Sequence, residues 1–184
     1  LQTIPITWPF TVWALDMVRP LQKAPGGFTH LLVAVDRFTK WIKAKPITTI
    51  DSKEAVKFFL GILYQFGVPN SIITNNGTNF MGKFFQEFAE GYEIRIDWVS
   101  VRHPRTNGQV ERANGLIHQG LKPQIFYQLK KFTGRWVEEL EAILWSLYTT
   151  PNHSTGLTPF FLAYGSRQYS LSTWTTARRE SKPL

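Results

Sequence analysis

The sequence predicts an α/β fold: a five-stranded mixed sheet, three strands of it an antiparallel meander, with helices on both faces. Three observations predict it. Strand-like runs at residues 9–18, 29–37 and 41–47 follow one another with no helical segment between them. Beyond residue 50 the pattern changes to strand and helix in alternation, which makes the sheet mixed. The run at 29–37 is too apolar to leave one face in water, so the sheet needs cover on both sides. The expected order is β-β-β-α-β-α-β-α-α-α.

Each element has a local reason. Residues 9–18 are rich in β-formers, and Pro25-Gly26-Gly27 marks a turn before the central strand at 29–37. Residues 41–47 close the meander. Asp51 is a helix N-cap with Glu54 three positions on, the spacing of a capping box. The helix that follows runs to about Phe66, with Ala55, Phe58, Phe59, Ile62 and Leu63 on one face, and Gly67 and Pro69 stop it. A short buried strand covers 70–74, a helix 80–91 passes through Phe84, Phe85 and Phe88, and 93–101 alternates Ile94, Ile96 and Trp98 against Arg95, Asp97 and Val99. A loop containing Pro104 leads to a long helix from about Asn107, kinked at Pro123. A helix over 134–149 turns Trp136, Leu140, Ile143, Leu144 and Leu147 inward, and a short one near Thr158–Tyr164 ends at Gly165. No internal repeat is present.

A chain of 184 residues is one domain, or one domain with a tail, and can bury a sizeable core. With 43% hydrophobic and 15% aromatic residues it is globular, not disordered. The absence of cysteine excludes disulfides and any cysteine-based zinc site, and fits an intracellular chain, nuclear or cytoplasmic. Lys+Arg number 21 against 13 Asp+Glu, and the net charge of +8 favours a polyanionic partner, most simply nucleic acid. No apolar run reaches the ~18 residues of a membrane span, so no membrane partner is expected. Leu1-Gln2-Thr3-Ile4-Pro5 has no initiator Met and no leader, and reads as the start of an excised segment.

Three positions suggest chemistry. Asp16 sits mid-strand in apolar company, where a lone carboxylate most plainly means a salt bridge or a capped turn. Asn75 lies where a strand ends and a loop begins, the usual place for a site in such a sheet. Glu111 opens a helix, and alone would be a solvated acid. Together, strand-centre Asp, strand-end Asx and helical Glu match the carboxylates that clamp two Mg²⁺ ions for phosphoryl transfer, hard oxygen donors suiting that metal. Between positions 75 and 111 lie 35 residues.

On these residues the chain resembles the catalytic core of retroviral-type integrases, and within them the integrases of plant gypsy-type LTR retrotransposons. The resemblance covers about residues 1–165. It rests on Trp13-Ala14-Leu15-Asp16, Leu31 to Trp41, Thr74-Asn75-Asn76-Gly77-Thr78 and His103-Pro104-Arg105-Thr106-Asn107-Gly108-Gln109-Val110-Glu111-Arg112. It implies a ribonuclease H-like fold, DNA 3′-end processing and strand transfer, and two Mg²⁺ or Mn²⁺ ions. By the same likeness Asp16 bridges both ions, position 75 holds one and Glu111 the other. The resemblance also implies a two-fold dimer made through the helices. Along the helix that bears Glu111, Asn114, His118 and Lys122 share its face and point towards DNA, with Asn107 and Gln109 at the flexible entrance.

The chain departs from the pattern in three ways. The family motif is Thr-Asp-Asn-Gly, and here Asn75 stands in place of the acid, so metal binding and strand transfer are expected to be weak or lost. Within these residues there is neither the His/Cys zinc domain nor the basic domain that the family implies, so no zinc is expected. From Ser166 the sequence leaves the family, and 166–184, with Trp174, Arg178 and Arg179, is expected to be a flexible basic tail that could engage a protein partner. The alternative reading is a decayed or repurposed module that keeps the fold and binds nucleic acid or protein without chemistry. A nuclease cutting RNA hybrids fits less well, because the Asn-Gly-x-x-Glu-Arg helix argues against it. Asp36 is placed as a turn-ordering residue rather than a replacement ligand, His30, His103 and His153 lack ligand spacing, and one of Trp136 and Trp145 is expected at the surface.

Overall fold

The computed structural model describes residues 8–18, 21–75, 82–99, 122–152 and 155–165. Five strands, β1 (Val12–Val18), β2 (His30–Asp36), β3 (Ile42–Ile47), β4 (Ser71–Asn75) and β5 (Arg95–Val99), form one sheet in the order β3-β2-β1-β4-β5. The meander is antiparallel, from Trp13↔Asp36 to Val18↔Leu31 and from His30↔Ile47 to Val35↔Ile42. On the other side the sheet is parallel: Val12↔Ser71 to Leu15↔Thr74, then Ser71↔Arg95 to Asn75↔Val99. The sheet is therefore mixed, and β1 is its centre, with all seven of its residues buried.

The helices divide between the faces. On one side α1 (Ser52–Phe66) and α2 (Lys83–Gly91) set Phe59, Ile62 and Phe85 against Trp13, Leu15, Leu32 and Ile72. On the other, α3 (Lys122–Lys130) and α4 (Trp136–Thr149) set Ile125, Leu129, Trp136 and Leu140 against Val18, Leu31, Val33 and Ile42. Each such side chain contributes about 1.5–3 kcal/mol. A short α5 (Pro159–Tyr164) packs on α4, started by the Thr158 hydroxyl, which accepts the Phe161 N–H at 3.0 Å, and ended by Gly165 at φ 69. Among the described residues no helix is long and apolar enough to cross a membrane.

The local expectations hold with two refinements. Asp51 caps α1 through the Lys53 N–H at 3.1 Å, and the Gly67 N–H closes the helix on the Leu63 carbonyl at 2.8 Å. Glu54 does not close the expected capping box. Its oxygens go to Lys45 of the edge strand at 3.0 Å and to Lys57 at 3.3 Å, where a charged partner outbids a backbone amide. In α2, Phe85 is fully buried while Phe84 is exposed. On β5, Ile96 and Trp98 face the α1/α2 core, and Arg95 grips Asp97 through two bonds of 3.0 and 3.1 Å. The expected helix over 107–121, which bears on the kink at Pro123, and the expected tail over 166–184 lie outside the described residues.

Candidate active site

The parallel pairing of β1 with β4 brings the two strand-borne positions together. Leu15 pairs with Thr74, and one step further along both strands stand Asp16 and Asn75. Neighbouring strands run about 4.8 Å apart, so these backbones are adjacent. Val12 and Ala14 pack with Ile73 on the α3/α4 side of the sheet, as Val18 does with α3 and α4, and the two-residue period puts Asp16 on that same side. The Asp16 side chain is 5% exposed, and its Oδ1 accepts the Met17 N–H at 2.7 Å, which fixes the carboxylate against its own strand. Asn75 is described in its backbone, as the last residue of β4 paired with Val99.

Glu111, Asn107, Gln109, Asn114 and His118 lie outside the described residues, and Lys122 is described only as the first residue of α3. Among the described residues no three of His, Cys, Asp or Glu gather as a metal site. Two carboxylates and one amide oxygen are all hard donors of the kind Mg²⁺ and Mn²⁺ take, so the set fits in type. It falls short in charge, with two negative charges where three carboxylates would bring three.

Asp36 is no substitute. It pairs with Trp13, towards the other end of β1 from Asp16, and is fully buried. Its Oδ1 accepts the Phe10 N–H at 3.1 Å, and its Oδ2 accepts both the Thr39 N–H and the Thr39 hydroxyl at 2.7 Å. Burial pushes its carboxyl above the ordinary value, with the Thr39 and Phe10 bonds and the Lys40 charge opposing. This carboxylate holds the β2–β3 turn and the entry to β1, a corner strained enough to put Phe10 and Lys40 at positive φ. Of the histidines, His30 meets the Thr29 hydroxyl at 2.8 Å, while His103 and His153 lie outside the described residues. Trp136 is buried and Trp145 is 45% exposed.

A family model described as integrase core domain matches residues 7–104, which is 98 of the 184 residues. The Pol polyprotein of radiation murine leukemia virus (strain Kaplan) is 33% identical over 163 residues, 86% of this chain and 26% of that protein. The Gag-Pol polyprotein of avian reticuloendotheliosis virus is 32% identical over 154 residues, 83% of this chain and 13% of that protein. The chain thus spans a minor part of the length of these relatives. Among solved structures, the HTLV-2 integrase catalytic core domain in complex with magnesium, in its trimeric form, aligns with a TM-score of 0.60 and 24% identity, covering 85% of this chain and 98% of that one. A chain of the simian T-cell lymphotropic virus intasome in complex with PP2A regulatory subunit B56 gamma aligns with a TM-score of 0.64 and 22% identity, covering 89% and 57%. These two likenesses are likenesses of fold.

Proposed function

The chain belongs to the integrase core domain family, with its ribonuclease H-like fold, and on that premise we propose that residues 1–165 act as a polynucleotidyl transferase core whose DNA 3′-end processing and strand transfer are impaired by Asn75. The observation that carries this reading is the β1–β4 register, which sets Asp16, within β1, beside Asn75 at the end of the parallel strand β4. Asp16, Asn75 and Glu111 would hold the Mg²⁺ or Mn²⁺ ions. When bound, such ions supply the positive charge that stabilises the attacking and leaving oxygens in phosphoryl transfer. Asp16 is held for its part by the Met17 N–H. Lys122, at the head of α3, would contact phosphate without reading sequence, alongside Asn107, Gln109, Asn114 and His118. Kinship with plant gypsy-type LTR elements is the finer reading, supported by the motifs at 13–16, 31–41 and 103–112.

The effect of Asn75 can be sized. A unit charge about 4 Å from a dication is worth on the order of 8 kcal/mol gross at an effective dielectric of about 20. A quarter of that, about 2 kcal/mol, is already more than tenfold in affinity or rate. Asn75→Asp should therefore tighten Mn²⁺ binding in calorimetry at least tenfold, and should raise metal-dependent joining of matched long-terminal-repeat ends. If the unmodified chain joins ends as well as the variant does, impairment is refuted. If the variant binds DNA and metal but stays inert, the second reading gains: a repurposed nucleic-acid- or protein-binding module, which the missing charge at 75 favours.

Homodimerisation through the helices is part of the proposal. Gly61 sits mid-α1, where it costs about 1 kcal/mol relative to alanine. Nothing lies within 4 Å of a Cβ placed there, so packing within the chain does not require it. Beside it Tyr64 is 81% exposed, and Trp145 stands out from α4. A partner helix approaching Gly61 closely would cover Tyr64, whereas Trp145 lies on the helix layer across the sheet.

A further inference from the structure

The outer face of α4 runs against the charge of the chain as a whole. Glu138, Glu141 and Trp145 follow one another at three and four positions and all three are exposed, so they form one stripe on the helix. Glu138 and Glu139 are each held by Arg135 at 3.5 Å, while Glu141 forms no ion pair among the described residues. Its charge reaches two neighbours without pairing with either. It opposes the lowering of the Lys43 amine by burial, and it adds to the burial that holds the Tyr148 hydroxyl above its ordinary value.

Trp145 opens onto a run of rings. Phe160 of α5 lies edge-on to it at 6.4 Å and tilts against Tyr164 at 4.9 Å, and Tyr164 stands edge-on to Trp41 at 5.3 Å. Trp145 is 45% exposed and Tyr164 is 52% exposed, so both ends of the run offer open ring surface beside an unpaired carboxylate. Tyr164 closes α5, and from Gly165 after it the chain continues into residues 166–184. That segment has the complementary make-up. It carries Arg167, Arg178, Arg179 and Lys182 against the single acid Glu180, with Tyr169, Leu171 and Trp174 as its large apolar side chains.

We propose that residues 166–184 dock on this face of their own chain, Trp174 resting on the open rings of Trp145 and Tyr164 and the Arg178-Arg179 pair meeting Glu141. Trp174 stands nine residues beyond Gly165, a reach of roughly 15–18 Å for a flexible chain, longer than either ring-to-ring step of the patch. The tether keeps the segment at a millimolar effective concentration, so a contact too weak for a free partner is populated here. Aromatic pairing and a cation beside the rings supply that contact. A nucleic-acid strand could stack on the same rings, but Glu138, Glu139 and Glu141 against the single Arg135 repel its phosphates. α4 lies across the sheet from α1, so docking leaves Gly61 and Tyr64 open for the proposed dimer.

The test is NMR on the whole 184-residue chain, with Trp145→Phe and Trp174→Phe identifying two of its seven indole signals. The backbone amide of Trp174 is expected near the rigid order parameter of about 0.85, with Overhauser contacts from its ring to those of Trp145 and Tyr164. Glu141→Lys, at an exposed position, should drop that value below about 0.6 and abolish the contacts while circular dichroism stays unchanged. Adding Arg178→Glu and Arg179→Glu to that variant should bring both back. The assignment is overturned if Trp174 lies below about 0.6 in the parent, if folded Glu141→Lys leaves it rigid, or if the charge swap restores nothing. Contacts that arise only between differently labelled chains in an equal mixture overturn it too, because the occupant is then a second copy. So does oligothymidylate that releases Trp174 and shifts the Trp145 indole, because the rings then serve nucleic acid. None of these results bears on the Asn75→Asp assay, so the two readings fail separately.

Discussion

Replacing Asp36 by alanine tests the corner that aims β1, and with it Asp16. The substitution strips the acceptor from three donors: the Phe10 N–H, the Thr39 N–H and the Thr39 hydroxyl. A buried donor left unmade costs about 1–3 kcal/mol. The Thr39 hydroxyl can rotate and Phe10 is only half-buried, so each of these is assigned about 1 kcal/mol and the buried Thr39 N–H about 2 kcal/mol. Against this total of about 4 kcal/mol stands relief from burying an ionised carboxylate, of about 1–2 kcal/mol. The net loss is then about 2–3 kcal/mol at neutral pH, read as a drop in the urea midpoint at unchanged slope. The pH dependence gives an independent sign. Burial raises the Asp36 carboxyl above its ordinary value of 3.8, so its contribution is fully present below that value and is lost as pH rises through the folded one. The stability gap between parent and variant should narrow as pH climbs out of that window. A loss under about 1 kcal/mol would refute the hydrogen-bond reckoning. A gap that widens with pH would show that the Thr39 and Phe10 bonds outweigh burial.

Two further expectations follow from the packing. Trp136→Phe removes the indole bond to the Gln22 carbonyl and leaves a void against Leu129, and should lower stability by about 2–3 kcal/mol in thermal unfolding; an unchanged Tm would remove Trp136 as the pin of the β1–β2 connection. Tyr64→Glu should shift the dimer towards monomer by at least tenfold in sedimentation equilibrium with little effect on folding, and a parent chain that is monomeric at high concentration would end the dimer proposal.

The meander was legible because its strands are close in sequence and its turns are written in Pro, Gly and Asp. The ends of α1 were legible for the same local reason: Asp51 supplies the first acceptor and Gly67 takes the φ of 86 that stops the helix. Where the reading needed a choice between faces it was weaker. Phe84, Phe85 and Phe88 all look like core residues, but the helical turn of about 100° per residue leaves room inside for Phe85 and pushes Phe84 out. Trp136 and Trp145 are nine residues apart, about half a turn out of phase, so one had to be exposed; which one depended on where β2 and β3 lie. Glu54 was misjudged because Lys45, its winning partner, sits on a strand that only the fold brings near.

For the site, sequence and fold answer different questions. The β1–β4 register needs only backbone pairing, and Asn75 meets Val99 through the main chain whether its side chain ends in an amide or an acid. The two side chains are nearly the same size, so the sheet has no means of registering the exchange. A likeness of fold to an integrase core therefore holds equally for an active and an inactive chain. Asp16 bears on the other half of the question. All seven residues of β1 are buried, and an apolar side chain at its position would avoid the penalty of a buried acid. The Oδ1 of Asp16 accepts the Met17 N–H, and the proposed cation would give the same carboxylate a charged partner. The charge at position 75, not the shape of the scaffold, is what separates the two readings, and restoring it by Asn75→Asp changes that charge while leaving the ladder as it is.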